Sequence, residues 1–436
     1  MLAFGVWACL QAPMARAADD PDSTVRKFSK ITQLFRKEGY RPPSELYGQG
    51  ASQELRRELS SRGLNQDFLD KTASLESQLR EACIRYPDLC SDGTLLAACV
   101  HGMAEKMGDH YAAYLPPTAF SGMMRRVGGQ EMAGPGVYVV KDHPSEPIEV
   151  LEATADSPAA MAKLAAGDKV LEIDGCPTNN LAIDEARSRI QGAAGTDLDL
   201  TVQRVHQTQP EHVKLRRITL DNRTVQERML RNAGKPVGYV RIKSFGSQTP
   251  HELKDALKNL TAAGASGLVV DLRNNGGGLV WSAVDVCSNF LPEGSRVVSI
   301  DRRAQSEVHK AVAGPRTPLP LVVLINQNSA SSAEITAGAI RDAGVGLLVG
   351  TKSFGKGTVQ CFLPLGDGSA LKLTTAHYRT PQGREIHGIG IVPDVVVDKP
   401  VDSIGNAQDP QLARALELVE GQMARVGQGA AVKAIP

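Results

Sequence analysis

Apolar residues recur every three or four positions from Asp19 to about Arg126. Phe28, Ile31 and Phe35 share one helical face, and Leu95, Ala98, Val100, Met103 and Met107 mark another. A Gly/Pro cluster from Gly128 to Gly136 interrupts this helical pattern and predicts a boundary. From Val137 to Arg204 the period shortens to that of strands, in the runs VYVV, PIEVLEA, DKVLEIDG and LDLTVQR. One helical stretch, IDEARSRIQ, falls among them. The polar segment Val205 to Arg217 is expected to be a hairpin or a linker.

From about Asn222 the pattern changes again. The near-continuous apolar runs PVGYVRI, GLVVDLR, LPLVVLIN and VGLLVG alternate with the helical patterns PHELKDALKNLTAAG, SAVDVCSNFL and SSAEITAGAIRDAG. Strands apolar on both sides, alternating with helices, predict a largely parallel sheet covered on both faces. A last helix, DPQLARALELVEGQM, follows Pro400. A chain of 436 residues has room for two or three such units.

Charge adds mainly exclusions. The 49 basic residues balance 48 acidic ones, so no electrostatic footprint for nucleic acid is expected. The opening residues carry an apolar run from Leu2 to Leu10, then Ala15-Arg16-Ala17, small residues at the two positions a signal peptidase reads. No Lys or Arg precedes the run. It is shorter than the roughly 20 residues a membrane helix needs, so a signal peptide over 1–17 and an exported, periplasmic or extracytoplasmic protein are expected, with no integral membrane segment. Cys83 and Cys90 bracket a Pro and are the pair best placed for a disulfide; no cysteine and histidine spacing suggests a metal site.

Three segments of the αβ region put polar or Gly-rich sequence after a strand, where open α/β sheets build their sites: DLRNNGGG (271–278), NQNSASSAEI (326–335) and GTKSFGKGTVQ (350–360). In the second, a helix is expected to begin near Ser331 or Ser332, where helix amides face developing negative charge. Helix capping alone would also explain a serine there. A hydroxyl nucleophile needs a base, and Lys356, between two glycines after an apolar strand, can serve if it is desolvated. His377 and His387 have no neighbouring Asp. The third segment imitates a phosphate-binding loop, but Gly357 stands where the metal-binding hydroxyl belongs and the following residues are strand-like. An esterase would need a GxSxG turn, which NSASSAEI lacks.

In order and spacing, these segments resemble the C-terminal processing peptidases, or tail-specific serine proteases, from about Leu95 to Val397. Lys356 lies 25 residues after Ser331, and the stretches 101–117 and 367–394 also match. The resemblance implies a multidomain α+β fold. Its parts would be an αβ (crotonase/ClpP-like) protease core with a parallel sheet (222–400), a small mostly-β PDZ domain (131–207), an N-terminal helical region (18–127) and a C-terminal helical tail (401–436).

By position, Ser331 would be the nucleophile, Lys356 the general base, and Gln360 the residue holding the lysine amine. Amides of Ser332 and of the Gly277–Gly278 turn would form the oxyanion hole. Gly276 stands where many relatives have Pro. Gly134, Gly136, Val137, Tyr138 and Val139 would form the PDZ loop and strand that receive a peptide C-terminus. Gln191 replaces an arginine that some relatives use to couple peptide binding to activation. No cofactor is implied. The implied partners are protein substrates with flexible apolar C-termini, with room for an activator protein or a homo-oligomer. The competing reading is a non-catalytic PDZ adaptor on a protease scaffold, which would have lost Ser331, Lys356 or Gln360.

Overall fold

The computed structural model describes residues 21–39, 47–67, 69, 74–127, 133–141, 146–154, 157–179, 181–219, 223–232, 234–303, 305–398, 404–405 and 408–427. The expected signal peptide lies outside the described residues. The chain divides into two units: residues 1–122 with 360–374, and residues 123–359 with 375–436.

The first unit is built on the helices Pro21–Glu38, Tyr47–Ser61, Leu75–Arg85, Pro87–Ser91 and Thr94–Met107. Their apolar stripes close on one core that includes Phe28, Ile31, Phe35, Leu95, Val100 and Met103. Cys83 and Cys90 form a disulfide inside it, with Cα atoms 5.0 Å apart. The helical expectation misses one strand, Ala113–Leu115, which pairs antiparallel with residues 370–372. Leu371 and Leu373 join the same core, and the buried Lys27 ammonium pairs with Asp367 at 2.5 Å.

Among the described residues, the second unit holds two larger sheets of separate character, a two-stranded pairing of Ala133–Gly134 with Ile218–Thr219, and a smaller set in which Arg296–Arg302 pairs with Ser306–Lys310 and with residues 376–379. The larger sheet runs in the order Val225–Asn232, Lys235–Ile242, Gly267–Asp271, Leu321–Ile325, Leu347–Gly350, Val395–Val396. Only its first pair is antiparallel. Alternate residues explain the continuous apolar runs. Leu268, Val270, Val323, Ile325 and Leu348 pack on helices Thr249–Ala262, Val280–Cys287 and Ser332–Asp342. Val269, Val322, Leu324 and Val349 pack on Leu412, Ala415 and Val419 of the helix Pro410–Gly427. The C-terminal helix therefore covers the sheet and is part of the fold.

That helix is also held by charge. Arg273, fully buried at the end of a central strand, donates to Asp271 and Asp409 at 2.6 Å each and to Gln411 at 2.9 Å. Tyr239 donates to the same Asp271 at 2.8 Å.

The mostly-β region is an antiparallel sheet in the order Val137–Val140, Ile148–Ala153, Lys169–Ile173, Asp197–Gln203, Glu211–Arg216. The segment expected to be a hairpin or a linker is a hairpin, and its second strand extends this sheet past residue 207. Helix Ile183–Ile190 closes a core of Val139, Ile148, Val170, Ile190, Leu198 and Leu200. Among the described residues, no helix is long and apolar enough to cross a membrane.

Candidate active site

The three polar segments meet at the C-terminal ends of the parallel strands. Strand Leu321–Ile325 leads into a turn that Ser329 organises. Its hydroxyl donates to the Leu272 carbonyl at 2.8 Å and accepts from the Asn326 amide at 2.9 Å. The turn ends on Ser331, the N-cap of helix Ser332–Asp342, at φ 57° and ψ −118°. A left-handed φ at a non-glycine residue costs about 1–3 kcal/mol and persists only where surrounding contacts enforce it. Here the Ala330 amide is bonded to the Asn275 carbonyl at 2.9 Å and the Ser331 amide to Glu334 Oε2 at 2.9 Å.

The glycine turn lies directly against this serine. A Cβ on Gly277 (φ 96°) would sit 2.6 Å from the Ser331 Cβ and 3.0 Å from the Ser332 nitrogen. One on Gly278 (φ 151°) would sit 2.2 Å from the Phe245 carbonyl oxygen. Only glycine fits either place. Gly276 is different, since a Cβ there would meet nothing within 4 Å.

Of the three amides expected to face an oxyanion, one is already engaged. The Gly277 N–H donates to the side chain of buried Asn275 at 2.8 Å, so the expectation for that amide is corrected. The amides of Gly278 and Ser332 donate to no protein acceptor among the described residues. The Ser332 hydroxyl donates to the Gly278 carbonyl at 3.1 Å, which ties the helix start to the glycine turn.

Lys356 is half-buried in the loop after strand Leu347–Gly350. This loop is pinned to the serine turn by the Phe354 amide on the Ser329 carbonyl, at 3.0 Å. Tyr378 donates its hydroxyl to the Lys356 carbonyl and its amide to the Gly357 carbonyl. Gly357 is obligatory, because a Cβ would lie 2.4 Å from the His387 nitrogen. The residues that follow form the strand Thr358–Pro364, not the helix a phosphate-binding loop requires.

Gln360 is on that strand and belongs to the first unit. Its amide donates to Thr374 Oγ1 at 3.4 Å, and Thr374 donates in turn to Asp109 at 2.8 Å.

The buried residue joining the serine turn to the lysine loop is Glu334, to which the sequence analysis assigned no role. Oε1 accepts from the Ser353 hydroxyl at 2.6 Å and the Gly355 amide at 2.8 Å. Oε2 accepts from the amides of Ser331 and Lys356, each at 2.9 Å. Burial pushes its carboxyl upward, against four hydrogen bonds that favour the ionised form. The spacing Ser-x-x-Glu is a capping-box signature, so part of this role was readable in the chain.

Family models match at two places, peptidase family S41 over residues 236–397 and a PDZ domain over residues 149–204. The carboxyl-terminal-processing protease of Synechocystis sp. is 33% identical over 382 residues, covering 86% of this chain and 89% of its own. This chain belongs to the carboxyl-terminal-processing protease family. The corresponding protease of Bartonella bacilliformis is 35% identical over 340 residues, 76% of each chain. Among solved structures, a photosystem II D1 C-terminal processing protease superimposes with a TM-score of 0.63 at 25% identity, covering 86% of this chain and 93% of that one. The chain is therefore a serine-type C-terminal processing protease with a PDZ domain, acting on protein substrates, and its fold is multidomain α+β as expected.

In the PDZ domain, Gly134 pairs with Ile218, and Gly136 (φ 79°) leaves room for Ser157, whose Cβ would lie 2.3 Å from a Cβ there. Val137, Tyr138 and Val139 lie on strand Val137–Val140, which ends the sheet and pairs on one side with Ile148–Ala153. Tyr138 is exposed. Arg187, from the helix, donates to the Val139 carbonyl at 2.8 Å. Beside Gln191, the Arg217 guanidinium is bonded to the carbonyls of Arg189 and Ile190 at 2.8 and 3.0 Å.

Proposed function

We propose that this protease cleaves proteins near their C-terminal ends through a Ser331–Lys356 dyad, with the PDZ domain taking apolar substrate tails. The observation that carries the reading is the joining of the serine turn and the lysine loop through the two oxygens of Glu334.

Neutral Lys356 accepts the Ser331 hydroxyl proton as the serine oxygen bonds to the scissile carbonyl carbon. Negative charge on the carbonyl oxygen is met by the Gly278 and Ser332 amides, at a helix N-terminus. The C–N bond then breaks, and the leaving amine takes the proton from the lysine ammonium. Water, deprotonated by the same amine, hydrolyses the acyl-enzyme and restores Ser331. Gln360 orients the lysine amine. The PDZ edge strand Val137–Val140, with Gly134 and Gly136 in its approach loop, adds a substrate tail as a further strand.

Export is part of the proposal. The apolar run Leu2–Leu10 and the Ala15-Arg16-Ala17 site support it, as does the Cys83–Cys90 disulfide, a bond that persists in oxidising compartments.

The test is cleavage of an unstructured protein with an apolar C-terminal tail by wild type, Ser331→Ala and Lys356→Ala. Cleavage by wild type alone, unaffected by chelators, is the expected result. Cleavage by Ser331→Ala contradicts the reading, and no cleavage by any of the three favours an adaptor role.

A further inference from the structure

We infer that Glu334 is a positioning residue whose carboxylate sets the separation of the serine turn from the lysine loop, and so the rate of acylation. The inference rests on the Ser331–Lys356 reading and adds a residue that acts through both members of the dyad.

An ordinary capping glutamate sits at the surface and returns one bond to its own N-cap. Glu334 does that for Ser331, but it is fully buried and its three other donors all come from residues 353–356. Burying a carboxylate is costly unless every lone pair is met. Here three of the donors are amide N–H groups, which can only donate. The fourth, the Ser353 hydroxyl, itself accepts from the Ile391 amide at 2.7 Å, which leaves its proton to point at Glu334. A protonated carboxyl would set a fifth proton against four donors, so the pattern selects the anion.

The two oxygens divide the work. Oε2 carries the amides of Ser331 and Lys356 together. Oε1 anchors the preceding part of the lysine loop through Ser353 and Gly355. The bond to the Ser331 amide also helps hold that residue at its left-handed φ of 57°, and it removes this amide from the donors available to a substrate. With no exposed surface, Glu334 touches no substrate, so its influence reaches the reaction only through where it puts Ser331 and Lys356. Glutamine has the same shape, but it would turn an NH2 group toward two N–H donors and push one of the segments away.

The experiment uses the full chain as wild type, Glu334→Gln, Glu334→Asp and Ser331→Ala. A fluorophosphonate is the active-serine probe and an unstructured protein is the substrate. Glu334→Gln is expected to reach the wild-type labelling endpoint. Its labelling rate and kcat per labelled site should both fall roughly 100-fold, the scale of loss from about 1 Å of misplacement, with KM changed less than about threefold. Glu334→Asp, charged but one methylene shorter, should fall between the two.

Wild-type kcat per labelled site, with only the melting temperature lowered, overturns the inference in favour of a purely structural role. A raised KM at unchanged kcat overturns it in favour of substrate contact. If Glu334→Gln does not fold, Ser353→Ala removes one donor and keeps the charge. A kcat reduced at constant KM supports positioning there, and an unchanged kcat overturns it. Labelling of Ser331→Ala would instead reject the nucleophile assignment, a separate failure.

Discussion

Ser331 and Lys356 donate their backbone amides to the same atom, Oε2 of Glu334, each at 2.9 Å. Ser331, at a strand-to-helix turn, and Lys356, in a strand-to-strand loop, thus share one acceptor on a single buried side chain. Catalytic groups need this kind of positioning, since effective molarity falls steeply once reacting atoms lose their near-attack geometry.

The glycine turn allows a graded test. Gly276→Ala should leave kcat within about twofold of wild type, because its Cβ enters open space. Gly278→Ala drives a Cβ into the Phe245 carbonyl, and Gly277→Ala drives one into Ser331. Each should cost roughly 100-fold or more in kcat, the scale of losing one oxyanion donor. Steady-state kinetics on the three variants checks the order, and equal effects at all three positions would contradict it.

The buried Arg273–Asp409 pair should govern acid stability. Burial works against charge on Asp409, yet Arg273 and the amides of Gly405 and Leu412 outweigh it and hold the carboxyl below its ordinary value. A depressed folded-state value stabilises the fold above the ordinary carboxylate range, near pH 4, and that contribution is lost as pH falls below it. Asp409→Asn should therefore destabilise by about 3–5 kcal/mol at pH 7, as removal of one partner from a buried pair does. The gap from wild type should narrow below about pH 4. Denaturant melts across pH measure it.

The disulfide in the helical unit closes a short loop, with a sequence separation of 7. Chain entropy then assigns it about 2 kcal/mol. Cys83→Ser with Cys90→Ser should lower the unfolding midpoint of wild type under oxidising conditions and have no effect once wild type is reduced. Thermal melts with and without reductant compare the two.

Arg187 bridges the edge of the PDZ sheet through the Val139 carbonyl. A peptide adding to strand Val137–Val140 has to displace that bond, worth about 1 kcal/mol net. Arg187→Ala should then bind an apolar decapeptide with a free carboxylate up to about fivefold more tightly by anisotropy, the factor that 1 kcal/mol represents. Weaker binding would show that the guanidinium contacts the peptide.

Much of the core was readable because its strands are buried on two faces. GLVVD, LVVLI and LLVG lack polar alternation, and the serine and lysine segments directly follow two of them. The strand Ala370–Arg379 was harder to see. Its pairing partners, Ala113–Leu115 and Arg296–Arg302, lie far away in sequence, and periodicity says nothing of partners. The same limit hid Arg273 and Asp409, 136 positions apart. Glu334 shows both sides of it. Its capping spacing is written in the chain, but three of its four donors lie 19 to 22 residues on and meet it only in the folded sheet. The Gly277 amide was misassigned because Asn275, two residues earlier, turns back to accept it.

A Ser331–Lys356 dyad makes Ser331 the residue that a serine-directed electrophile should trap. Intact mass and peptide mapping after fluorophosphonate treatment should show one adduct on Ser331 in wild type. Ser331→Ala should show none, and Lys356→Ala should show none on the time scale of wild-type labelling. An adduct on another residue, or Lys356→Ala labelled as fast as wild type, would contradict the account.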